Sequence, residues 1–132
     1  MFAKLIAGGM GLTLFAYVFI NVAMVECQKS IKADDQYHHS HFLIALLYLY
    51  KGQQSIIEAT VLQCATGKEA KEYKGEADAL MAKAQHHFEA AYKLQKERDS
   101  KIALNLSTLH LYFKRHDQAE AFARKALANI AY

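Results

Sequence analysis

The sequence predicts an all-α chain: a single N-terminal transmembrane helix followed by a small α-solenoid of antiparallel helical hairpins. Three observations predict it. Residues 5–25 carry no charge, and only Thr13 and Asn21 among them are clearly polar. Beyond them, apolar residues recur at three- and four-residue spacing, the period of an amphipathic helix. Proline is absent and glycine occurs 6 times, too few turn residues for a sandwich or barrel. The 132 residues leave room for one small domain. With 53% apolar and 22% charged residues, the chain is too apolar to be disordered and too charged to be a polytopic membrane protein. Residues 1–30 are therefore expected to form an anchor with its flank, and residues 31–132 a helical domain.

The first element is the uncharged run. At about 1.5 Å per residue it spans roughly 30 Å, the hydrocarbon thickness of a bilayer. Lys4 precedes it, and Glu26, Lys29, Lys32, Asp34 and Asp35 follow. A cleavable signal peptide has a shorter apolar core and a small-x-small exit, and Met24-Val25-Glu26 is not one. The same three residues do not make a lipobox before Cys27. A signal anchor is the expectation. The competing reading, a buried core helix, suits a segment that is apolar all round less well. The two flanks nearly tie in Lys and Arg, but a short Lys-bearing tail is the usual form of an anchor whose amino end stays in the cytoplasm. The rest of the chain is then expected on the translocated side, periplasmic or equivalent. Ala3, Ala7 and Gly11 recur every four residues, a spacing that lets a second helix approach closely in lipid.

Helices follow near residues 37–51, 55–66, 76–98, 100–115 and 117–131. The first, YHHSHFLIALLYLY, is expected to stop at Gly52. Ser55 and Glu58 have the spacing of a capping box and open the next. The polar stretch 68–77 reads as a solvated loop or a polar helix. In the third helix Leu80, Ala84, Phe88, Ala91 and Leu94 share a face, and Asp99-Ser100 breaks it. Ile102, Leu106, Leu109 and Phe113 form the stripe of the fourth; Ala119, Phe122, Ala126 and Ile130 that of the fifth. Short turns make successive helices antiparallel neighbours.

Helix, tight turn and helix recur at about 34 residues. Counting from Ser100, Leu106 and Ser107 supply a large and then a small residue, and Ala119 and Ala126 two small ones in the following helix. Counting from His38, Ala45, Tyr48 and Gly52 fall at small, aromatic and turn positions, while Ala84, Phe88 and Ala91 fit a second helix between the two matches. On these residues the chain resembles tetratricopeptide repeats over roughly residues 38–131. His110, Ala123, Ile57 and Cys64 depart from the family pattern. The resemblance implies close helix crossings at the small residues and a concave face that binds a peptide or a partner helix. Tyr48, His110 and Tyr112 are the candidate partner-contacting side chains, tyrosine being favoured at interfaces. Two to three units make a short stack, so a partner, self-association or the membrane helix is expected to complete it.

Chemistry is sparse. Of 7 histidines, His38, His39 and His41 cluster on one helix and His86 and His87 on another. His38 and His41 with His86 or His87 are candidate ligands for zinc, iron or copper. Against this, histidines at helix starts and on polar faces are ordinary, and there is no HExxH, no repeated ExxH and no CxxC. Cys27 and Cys64 would pair in an oxidising space; Cys64 also fits a small buried position, and Cys27 a free or lipid-modified thiol. No nucleophile–base set, P-loop or dinucleotide loop is present, so no enzyme, no catalytic residue and no cofactor are expected. The net charge is +3, with lysines 68, 71 and 74 interleaved with glutamates, a solvated face and no nucleic-acid footprint.

The expected function is that of a membrane-anchored adaptor, an accessory subunit of a larger membrane assembly that acts by protein–protein binding. One alternative is a filament subunit similar to type IV pilins, with Gly9-Met10 resembling a prepilin junction but Leu14 where those carry glutamate. The other is a small histidine-rich metal- or cofactor-binding helical protein.

Overall fold

The computed structural model describes the backbone of residues 2–62 and 67–130 and the side chains of residues 18–60 and 71–130. The described residues form five helices and no strand: α1 (Phe2–Ala33), α2 (His38–Leu62), α3 (Gly67–Leu94), α4 (Ser100–Tyr112) and α5 (His116–Ile130). Each helix packs chiefly on its neighbours in sequence, most extensively α2 on α3 and then α4 on α5. This serial helical stacking bears out the all-α expectation.

The core is made where the helical stripes meet. Ile44 and Ala45 of α2, Met81, Ala84, Phe88 and Ala91 of α3, and Ile102, Leu106 and Leu109 of α4 are buried in one cluster. The small residues set the crossings. Ser107 is buried on α4 and its hydroxyl donates to the Ala119 carbonyl of α5 at 2.7 Å. Ala119 and Ala126 are buried on the facing side of α5.

Gly52 does not end a helix. The expected helices at 37–51 and 55–66 are one helix, α2, and Ser55 lies buried inside it, not at a cap. Glycine in a helix interior costs about 1 kcal/mol relative to alanine, but here the missing side chain admits Met81. A Cβ at Gly52 would stand 3.1 Å from both the Sδ and Cε of Met81. The polar stretch at 68–77 is helical and forms the start of α3. Its Lys, Glu and Ala residues are strong helix formers, so exposure does not prevent the helix.

α3 and α4 stop without glycine. The amides of Lys96 and Glu97 reach the carbonyls of Lys93 and Tyr92, and those of Lys114 and Arg115 reach Leu111 and His110. Both are Schellman caps, with Lys96 (φ 55°) and Lys114 (φ 59°) in the left-handed conformation. Asp99 then caps α4, its carboxylate accepting from the amides of Lys101 and Ile102 at 2.9 and 3.1 Å.

The membrane expectation is overturned. Among the described residues, no helix is long and apolar enough to cross a membrane. The helix continues past Val25 through Glu26, Lys29 and Lys32 to Ala33. One face of it is spent on the bundle: Met24 is buried, and Ile20, Cys27 and Ile31 pack against the core. Polar contacts tie it to α2 at two levels. Ser30 and Ser40 share a hydroxyl hydrogen bond, and Lys51 donates to the Asn21 side chain at 2.9 Å. The single-pass topology and the translocated location of the C-terminal part are withdrawn with the span. Of Ala3, Ala7, Gly9, Met10 and Gly11 only the helical backbone is described, and Cys64 lies outside the described residues.

Candidate functional site

Two features stand out: an open apolar stripe on α1 and a histidine pair between α2 and α3. The stripe follows from the helical period. Ile20, Met24, Cys27 and Ile31 recur at i, i+4, i+7 and i+11 and face the bundle. Val18, Val22 and Val25 recur at i, i+4 and i+7 on the opposite face, with Phe19 beside them. They are 52%, 57%, 48% and 68% exposed, in the order Val18, Val22, Val25, Phe19. The outer face turns polar where Glu26 and Lys29 pair across one turn at 3.2 Å. Burial, with the Glu26 carboxylate adding to it, pushes the free thiol of Cys27 up.

The histidine pair is placed by two tight local structures. Asp34 closes the α1–α2 turn, its carboxylate accepting from the Gln36 amide at 3.0 Å. The turn leaves the Asp35 carbonyl over the first turn of α2, where His41 meets it through Nε2 at 2.9 Å. A carbonyl only accepts, so Nε2 of His41 carries the hydrogen and its Nδ1 a lone pair. Nδ1 of His87, on α3, lies 3.1 Å from that lone pair and donates to it. The His87 ring stacks on Tyr48 at 5.8 Å and 12°. Burial first, then His41 and His86, lowers its pKa to about 4, so His87 is neutral at pH 7.

Of the histidines picked out in the sequence, the fold thus joins His41 to His87. His38 meets His39 instead, the rings tilted at 38°, and both lie against Tyr37. His86 stands edge-on to His87 and is exposed. Among the described residues, no group of three His, Cys, Asp or Glu side chains is arranged to hold a metal ion.

The residues matched to repeat packing (Ala45, Gly52, Ala84, Phe88, Ala91, Leu106, Ser107, Ala119 and Ala126) are all buried. The candidate partner contacts lie inward. Tyr48 is buried beneath His87 and a Lys83 ammonium 5.6 Å from its ring. His110 is buried and stacked on Phe122 at 5.3 Å and 8°. Among the described residues its Nδ1 finds no hydrogen-bond partner, nor does the hydroxyl of buried Tyr92, whose ring meets the same Phe122 edge-on. Burial, with Arg115 beside it, holds His110 below the usual histidine range, while Glu89 opposes them. Tyr112, half-buried, donates to the Asp78 carboxylate of α3; burial, then that bond, holds its phenol above the usual range. Arg115 donates to Gln85, and Gln85 to Glu89, completing a polar seam between α3 and the α4–α5 hairpin. Sequence reasoning missed this seam because its partners lie 30 to 34 residues apart, and it grouped His41 with His86 or His87 without fixing which. The one usable sign was that Asp78, Gln85 and Glu89 recur at helical spacing on α3.

Comparison of the chain with protein-family models, with curated proteins and with solved structures finds no match.

Proposed function

We propose that the chain is a helical adaptor of tetratricopeptide-like build, an accessory subunit that acts by docking one apolar helix of a protein partner on the outer stripe of α1. The observation that carries this reading is the exposure of Val18, Phe19, Val22 and Val25 on the face opposite the core-facing stripe. A helix that needed only to cover α2 would present polar residues there. The stripe is one helix wide and about 10 Å long from Val18 to Val25. Anchors at i, i+4 and i+7 are the mode by which one amphipathic helix reads another. The absence of any catalytic constellation in the sequence favours binding over turnover.

A photo-crosslinking residue in place of Val22, in the full chain expressed in its own cells, tests this. The same residue in place of exposed Thr108 is the control. The adaptor reading expects one protein adduct at position 22 and not at 108. That protein, purified, should bind the wild-type chain one to one and lose Val22→Asp/Val25→Asp at unchanged helix content. Adducts only with a second copy of the chain would replace the adaptor with a self-associating subunit. The same adducts from both positions, or none, would overturn it.

A further inference from the structure

We propose that the His41–His87 pair is a two-point binding site for a monovalent d10 cation, copper(I), held in line between the two Nδ1 atoms. The geometry is specific. The ring centres are 5.4 Å apart and the Nδ1 atoms 3.1 Å. The difference is what two imidazole radii supply, so both nitrogens lie close to the line joining the rings. Two ring nitrogens aimed head-on, with one hydrogen between them for the ion to replace, suit an ion that takes two ligands in line. They do not suit zinc, which takes four ligands at tetrahedral angles, and the described residues offer no group of three ligands. Copper is among the metals that imidazole suits.

The surroundings are those of a ligand pair. The Nε2–H of His41 donates to the Asp35 carbonyl, the outer bond that fixes tautomer and orientation in metal-bound imidazoles. The Tyr48 ring holds His87 in plane. His41 is buried and His87 half-exposed, so the ion enters from the His87 side. On binding, copper replaces the hydrogen between the rings. The Nδ1 hydrogen of His87 transfers to its Nε2, so no net proton is released. The rings part along the line that already joins them. His41 and His87 share no residue with the α1 stripe, and copper binding there stands or falls without the adaptor reading.

Anaerobic titration of the full chain with copper(I), in competition with the coloured chelator bicinchoninate, tests the site. The wild-type chain should withdraw a single copper. His41→Gln and His87→Gln should each weaken uptake about tenfold or more, while His38→Gln/His39→Gln should not. Copper-edge X-ray absorption should show two nitrogen ligands in line. Uptake unchanged in His87→Gln would place the copper elsewhere on the chain and overturn the site. So would no uptake, or three- to four-fold coordination. Should His41→Gln fail to fold, the half-exposed His87 still carries the test.

Discussion

His87 makes the sharpest demand of any single side chain. Its pKa is lowered to about 4 by burial and by His41 and His86, against an ordinary value of 6.5. A histidine lowered on folding binds protons better in the unfolded chain, so its contribution is complete above pH 6.5 and is lost as pH falls toward 4. His110, also lowered, adds in the same direction. Chemical denaturation between pH 7 and 4 should therefore show falling stability, and His87→Gln should flatten that slope. In an imidazole NMR titration, the His87 ring should remain neutral at pH 5. Tyr112 is the second case. Tyr112→Phe removes the donor to Asp78 and leaves its carboxylate facing a half-buried seam. A bond to a charged acceptor is worth about 1.5–3 kcal/mol when buried, so a loss of about 1 kcal/mol is expected here. Asp78→Asn/Tyr112→Phe should cost less than the two singles combined, which a double-mutant cycle would read.

The crossing of α4 and α5 rests on Ser107. Ser107→Ala loses the bond to the Ala119 carbonyl and should cost about 1 kcal/mol. Ser107→Leu also wedges the helices apart and should cost about 1–3 kcal/mol more, seen as a lower urea midpoint. The helix ends invite the opposite change. Lys114 occupies the left-handed position of its cap at φ 59°. Lys114→Gly should stabilise by up to about 1 kcal/mol, with a higher midpoint at unchanged helix content. These elements also show what was readable in advance. The stripes of α3 and α4 and the cap at Asp99 follow from local period and cap chemistry, and the structure keeps them; α3 stops earlier than expected, at Leu94, and Ile130 of the α5 stripe is exposed. Gly52 could not be read locally, because whether a glycine ends a helix or seats a neighbour depends on Met81, 29 positions away. The ends of α3 and α4 carry no glycine to announce them. The run before Val25 was apolar enough for lipid, but its later face belongs to Met24 and the bundle.

For the chain as a whole, order along the sequence is order in space. Such local topology folds fast, because few long loops must close before contacts form. With no proline anywhere in the 132 residues, refolding should lack the slow phase of roughly 10–100 s that prolyl isomerisation imposes. Stopped-flow fluorescence of the tyrosines would read it, and a slow phase insensitive to protein concentration would contradict the picture. The candidate site was only half visible beforehand. The histidines were marked as a group, but which two meet was set by the α1–α2 turn and the length of the α2–α3 pair. The serial arrangement bears on mechanics too. Helices that lean mainly on the next in line share load poorly, since tension at the termini reaches one seam at a time. Stretched in an optical trap, the molecule should give way as a staircase of small steps, and the α2–α3 pair should be the last to let go.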